Sequence, residues 1–291
     1  MVMAATLAGG SASLAQDWQV RLVNGEVRAL APERCTRPRN GLPDGCVARG
    51  SGDVAAAWYT EPTTRYAHAI LGDAIEAGTL TVRLSNGAQT SLALPPSEVF
   101  EDRIPYLADL DRDGRTEIIT IRASARAGAA VTVYGVRGEA LVELGTTRFI
   151  GTPNRWLNIA GIADYLGRGH LQIAFVETPH IGGTLKLATF GRSGLQVVAQ
   201  ARGFSNHEIR AREQRLSATA DIDGDGRPDL AVPDARRERL RLVRFEADTV
   251  RDITSIALPA PVNRPVVAEG RGERLRFLTG LSSGQVVSVS R

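Results

Sequence analysis

This chain has almost no lysine: of its 35 basic residues, only Lys186 is not arginine. It has two cysteines, four histidines and no apolar run approaching the roughly eighteen residues a membrane-spanning helix needs. The missing apolar run excludes a transmembrane helix. The arginine excess reads as codon bias in a GC-rich genome rather than a binding design, and a formal net charge of +3 is not a nucleic-acid footprint. The densest basic stretch, residues 236–244, alternates with Leu240 and Leu242 as an outer strand with one solvated face does. No Ser-His-Asp order, phosphate-binding loop or cysteine nucleophile is present, and the histidines lack the close H-x-H or H-E-x-x-H spacing of a metal site. Nothing sets an oligomeric state, and a monomer suits the composition.

Residues 1–15 lack a basic segment but place Ser13 and Ala15 before Gln16, as the tail of a secretory signal does, with a disordered N-terminus the alternative reading. No cysteine follows the apparent cleavage point, so there is no lipid-anchor signal. The expected domain therefore runs over 16–291. Cys35 and Cys46 flank a Pro-, Arg- and Gly-rich loop, and in an exported protein a disulfide between them stabilises by about 3 kcal/mol through loop entropy. A periplasmic or secreted location is expected.

Against this plain background two stretches share a nine-residue pattern. One carries Asp109, Asp111, Asp113, Gly114, Arg115 and Glu117; the other carries Asp221, Asp223, Asp225, Gly226, Arg227 and Asp229. Carboxylates at positions 1, 3, 5 and 9, a glycine where the backbone turns sharply, and the carbonyl of Arg115 or Arg227 at position 7 make a calcium cage. The likeness to an EF-hand ends there, because position 12 is Thr120 or Val232 rather than a bidentate glutamate. The apolar residues on either side are too short for helices and read as strands.

A third copy begins at Asp164 and keeps Gly169, but Leu166, Arg168 and Gln172 replace the other carboxylates. The expectation there is that Arg168 substitutes for the ion by pairing with Asp164. The leading aspartates stand at 109, 164 and 221, separated by 55 and 57 residues, which is a repeat. Weaker copies lie at 46–59 and 266–278. Hairpins follow each loop strand, the clearest turning at Asn86-Gly87. Each unit is four antiparallel strands, and such units repeated around an axis give an all-β propeller of five blades, with six the alternative. Residues 18–23 are expected to supply the strand missing from the last blade.

These residues resemble the FG-GAP and VCBS repeat families, whose blades carry D-x-D-x-D-G-x-x-D between their first two strands. The resemblance covers most of residues 46–291 and implies a calcium-loop propeller, with no single activity attached.

In such a unit the loops between the first two strands share one face. The opposite face receives Tyr66, His68, Arg155, Trp156, His180 and His207, three of the four histidines. The sequence therefore predicts an exported, calcium-stabilised propeller that binds a protein or glycan ligand on that face. The alternative is a carbohydrate-acting propeller enzyme using its His, Tyr and Arg side chains.

Overall fold

The computed structural model describes residues 18–25, 27–31 and 35–291. The signal-like residues 1–15 lie outside them. Among the described residues there are strands and two single 3-10 turns, and no α-helix. Strand formation follows the two-residue period: in Arg239–Glu246, Leu240, Leu242 and Phe245 are buried while Arg239 is exposed. Strands that lie deeper, such as Glu117–Ser124 and Gly128–Arg137, are apolar and β-branched on both faces and are almost wholly buried. At the Asn86-Gly87 turn, Gly87 takes φ +90° and the Asn86 side chain accepts the Ala88 N–H at 2.9 Å.

The strands form four antiparallel sheets. Two consecutive meanders belong to one nine-stranded sheet. The first comprises Ala48–Arg49, Val54–Thr63, Glu76–Leu84 and Gln89–Ala93; the second comprises Tyr106–Ala108, Glu117–Ser124, Gly128–Arg137 and Ala140–Thr146. The short strand Glu98–Phe100 joins them, pairing with Glu76–Leu84 on one side and Glu117–Ser124 on the other. The third sheet-forming unit is Leu157–Ala163, Gln172–Glu177, Thr184–Gly191 and Gly194–Arg202, and the fourth is Ala218–Ala220, Asp229–Pro233, Arg239–Glu246 and Thr249–Ala257. The fifth contains Val262–Glu269, Arg276–Leu281 and Val286–Ser290, and its last strand pairs antiparallel with Gln19–Val23.

Apolar clusters lie between successive units. Val54, Tyr59 and Leu80 meet Ile118 and Tyr134 between the first and second. Ile119 and Val131 meet Ile159 and Phe175 between the second and third, and Val176 and Leu185 meet Leu230 and Phe245 between the third and fourth. Leu240 and Leu242 meet Phe277 and Val289 between the fourth and fifth. Burying each such side chain contributes about 1.5–3 kcal/mol. No such cluster joins the fifth unit to the first among the described residues.

The sequence-expected disulfide is present, with Cys35 and Cys46 Cα atoms 5.4 Å apart. Among the described residues no helix is long and apolar enough to cross a membrane.

Candidate functional site

The two acidic loops connect the first and second strands of the second and fourth units. In each, the leading aspartate binds the turn: Asp109 Oδ2 accepts the Gly114 N–H at 3.0 Å and Asp221 Oδ2 the Gly226 N–H at 3.0 Å. The turn needs a left-handed backbone, and Gly114 and Gly226 supply it at φ +87° and +85°. The ninth residue closes the loop from the strand side, Glu117 Oε2 accepting from Leu110 N at 2.8 Å and Asp229 Oδ2 from Ile222 N at 2.9 Å.

Asp109, Asp111 and Glu117 each offer an oxygen within 4.8 Å of the others, as do Asp221, Asp223 and Asp225. These clusters can hold a metal ion. Asp113 stands outside the first trio, 3.8 Å from the Arg115 guanidinium, and Asp229 outside the second. In the second loop Arg227 hydrogen-bonds Asp225 and Arg244 lies 3.3 Å from Asp223, so part of the negative charge is neutralised by the protein. The first loop has less such relief. Its Asp109 Oδ1 and Glu117 Oε1 are buried without any hydrogen-bond partner, a costly state that a cation between them would resolve. Burial pushes the Glu117 carboxyl up to about 7, the neighbouring aspartates adding to it, and burial likewise pushes Asp229 up to about 7.

The third loop is built differently from the expectation. Arg168 is exposed, and its guanidinium makes no ion pair with Asp164 among the described residues; the backbone N–H groups of Arg168 and Gly169 satisfy that carboxylate at 2.8 and 2.7 Å. The residue that replaces the ion is Gln172. Its Oε1 accepts from Leu166 N at 3.0 Å while its Nε2 donates to the His170 carbonyl at 2.7 Å, the position-7 carbonyl of this loop. An amide spans both sides of the turn because it carries both a donor and an acceptor, which a carboxylate does not.

On the opposite ends of the strands, the connections 64–75, 147–156, 178–183 and 203–217 bring the histidines together. His68, Arg155, Trp156 and His180 line one pocket of about 230 Å³ with Ile181 and Ile209 at its rim. Those isoleucines are 61% and 60% exposed, unusual for their type in this chain. Tyr66 and His207 do not line it. They are buried behind, Tyr66 edge-on to the His68 ring at 5.9 Å and His207 edge-on to Trp156 at 4.6 Å.

Hydrogen bonds fix the tautomers. His207 Nε2 lies 2.8 Å from the Ala211 carbonyl, which can only accept, so that nitrogen carries the proton. Its Nδ1 therefore accepts from His180 Nε2 at 2.9 Å, leaving His180 Nδ1 with a lone pair. Burial drives both imidazoles neutral, His180 down to about 4 and His207 to about 3. His68 Nδ1 meets Glu101 Oε1 at 2.6 Å, and the Glu101 backbone carbonyl accepts Trp156 Nε1–H at 2.9 Å. Burial raises the Glu101 carboxyl and lowers His68. The fourth histidine, His170, belongs to the third loop.

The backbone around this pocket is strained. Asn154 and Thr178, which line it, and Ala69 and Arg210, adjacent to lining residues, all have φ between +50° and +65°. A β-branched threonine there is a genuine outlier. The chain also approaches itself closely nearby, Gly183 facing the Phe204 carbonyl so tightly that no side chain fits.

The histidines were legible as a group, since three fall on loops at one end of the units. Glu101, Ile181 and Ile209 were not, because nothing local marks a carboxylate or an isoleucine as a pocket residue.

No family model matches the chain. No curated protein matches it either. Among solved structures it is similar to Saccharomyces cerevisiae Sqt1, at 10% identity and a TM-score of 0.46 over 74% of this chain and 55% of that one. It is similar to the exotype rhamnogalacturonan lyase YesX, at 14% identity and a TM-score of 0.43 over 83% of this chain and 55% of that one. A third likeness is to the fission yeast SREBP-SCAP binding domains, at 10% identity and a TM-score of 0.46 over 87% of this chain and 61% of that one. The chain thus spans little more than half of these longer proteins, and likeness at this level assigns no activity to it.

Proposed function

We propose that this chain is an exported, calcium-stabilised propeller of five four-stranded blades, of the FG-GAP/VCBS type, that binds a protein or glycan ligand in the histidine pocket. Calcium occupies the two acidic loops, with the Arg115 and Arg227 carbonyls completing the ligand sets, and serves the scaffold. Supporting calcium over a softer metal is the all-oxygen donor set.

The observation that carries the binding role is the pocket itself. His180, held neutral and in a defined tautomer by the His207 behind it, the His68 imidazole against a buried carboxyl, one arginine, and an apolar rim are set on a backbone that keeps four non-glycine residues left-handed. Such strain is maintained only where surrounding packing over-determines it, as at a pre-organised site. Screening the calcium-loaded protein on glycan and peptide arrays tests the reading. His180→Ala, with unchanged melting temperature, should abolish the hits; hits that persist in both His180→Ala and Arg155→Ala overturn it.

One contact favours the alternative of a carbohydrate-acting enzyme. The buried Glu101 carboxyl orients His68 as a carboxylate orients a general base. Turnover of an array-identified glycan, lost in both His68→Ala and Glu101→Gln, would establish that alternative; binding without turnover supports the module.

A further inference from the structure

A second site lies at the seam where the apolar packing between units stops. The first unit turns one face of its sheet into a groove of about 700 Å³. Trp58 and Thr60 stand there opposite Thr81 and Thr79, and Arg83 stands opposite Gln89 on the next strand. A sheet face between packed units carries apolar side chains, as the other units show. This one carries hydroxyls, an amide, and a half-buried indole that makes no ring contact with another aromatic residue among those described.

The groove is also strongly basic. Arg37, Arg39, Arg49 and Arg83 line it, all exposed, against a single acidic residue, Glu61. None of the four is in an ion pair among the described residues; Arg49 reaches only the Thr36 hydroxyl, at 3.4 Å. Some arginines on other strands are matched, as Arg122 is to Glu98 and Glu143 and Arg241 to Asp252; what distinguishes this groove is that four unmatched ones converge on it. Four unmatched guanidiniums around one cavity repel one another and leave their donor forks open to an anion.

The loop that presents two of them is fixed in place. Cys35–Cys46 closes it, Val47 N–H donates to the Thr36 carbonyl at 2.9 Å, and Gly41 bridges to Thr60 on the sheet. Arg37 and Arg39 are thus held over the groove before any ligand arrives, which lowers the ordering cost of binding.

We infer that this groove binds an acidic oligosaccharide, a short chain of pyranose rings bearing carboxylates, with Trp58 stacked on one ring and Arg37, Arg39, Arg49 and Arg83 taking the carboxylates. The indole offers a flat apolar surface to the C–H face of a sugar, the threonines and Gln89 match its hydroxyls, and guanidinium forks match carboxylates bidentately. The volume suits several rings rather than a lone ion. A single-stranded nucleic acid fits less well, because it stacks successive bases on successive aromatic residues and this groove has one.

Calorimetric titration of the calcium-loaded protein with short oligogalacturonates tests this. Binding is expected; full methyl esterification of the sugar should abolish it. Arg83→Glu and Arg39→Glu should each weaken it about tenfold or more, and Trp58→Ala about tenfold. His180→Ala should leave this affinity unchanged, separating the groove from the histidine pocket. No binding, equal binding of the esterified sugar, tighter binding of a heparin fragment or of oligothymidylate, or undiminished affinity in Arg83→Glu would each overturn the inference. Arg83 is an exposed strand residue, so its variant decides the matter even if Trp58→Ala fails to fold.

Discussion

The second and third units carry the same turn in two chemical versions. In the second, Glu117 closes the strand side of the loop with one oxygen and leaves the other buried and unpartnered. In the third, Gln172 closes the corresponding turn and also donates to the position-7 carbonyl. The backbone frame is shared, down to the leading aspartate accepting the N–H of the sixth residue. What differs is whether the loop satisfies itself or requires something from solution. At the ninth position an amide NH2 in place of a carboxylate oxygen, with the carboxylates of the third and fifth positions also gone, separates a turn that can hold a cation from one that closes without it.

Calcium gives the largest test of that contrast. At a concentration about a hundredfold above Kd, each occupied loop gains about 2.7 kcal/mol, so melting in calcium should exceed melting in EDTA by about 5 °C or more. Equal melting temperatures would refute a stabilising role.

Gln172→Glu should come next. It keeps the acceptor for Leu166 but loses the donor to His170, costing about 1–3 kcal/mol by denaturant unfolding. Calcium should not restore the loss, because Leu166 and Arg168 hold the positions where carboxylates would be needed.

The reciprocal change, Glu117→Gln, should stabilise the metal-free protein by about 1 kcal/mol, by giving the orphaned position a donor. It should also shrink the calcium-dependent rise in melting temperature to that of the second acidic loop alone.

The smallest effect concerns the opposite ends of the strands. His180 and His207 have folded pKa values held below the ordinary histidine value, so the unfolded chain binds protons that the folded one refuses. Their contribution to stability is complete above about pH 6.5 and is lost as pH falls toward about 3. Denaturant titrations across that range should show a shallower decline in His207→Gln than in the parent, once the parent's reference stability is matched.

Much of the architecture could be read from the chain because it rests on local signals. Alternating residues set the strands, Asn86-Gly87 set a hairpin, and repeated aspartate-glycine turns at near-constant spacing marked the units. Even the N-terminal strand against Val286–Ser290 could be anticipated from a unit one strand short. The site was less legible. Arg168 looked like the natural substitute for a cation, since charge is visible in a sequence and hydrogen-bond geometry is not; the amide of Gln172 prevailed because it reaches both sides of the turn. Glu101 meets His68 from 33 positions away. The arginine groove depends on Arg37 and Arg39 being carried by the disulfide loop onto a distant sheet face, a placement that no spacing encodes.

The strand Glu98–Phe100 has a consequence for how the molecule comes apart. Because it is hydrogen-bonded on both edges, the first two units share one continuous ladder, whereas the later units meet through side chains and isolated backbone bonds such as Leu171 N–H to the Leu110 carbonyl at 2.8 Å. Amide protons in Glu76–Leu84 and Glu117–Ser124 should therefore exchange with deuterium together, as one cooperative block. The acidic loop of the second unit and the basic groove of the first would then be lost in a single opening event.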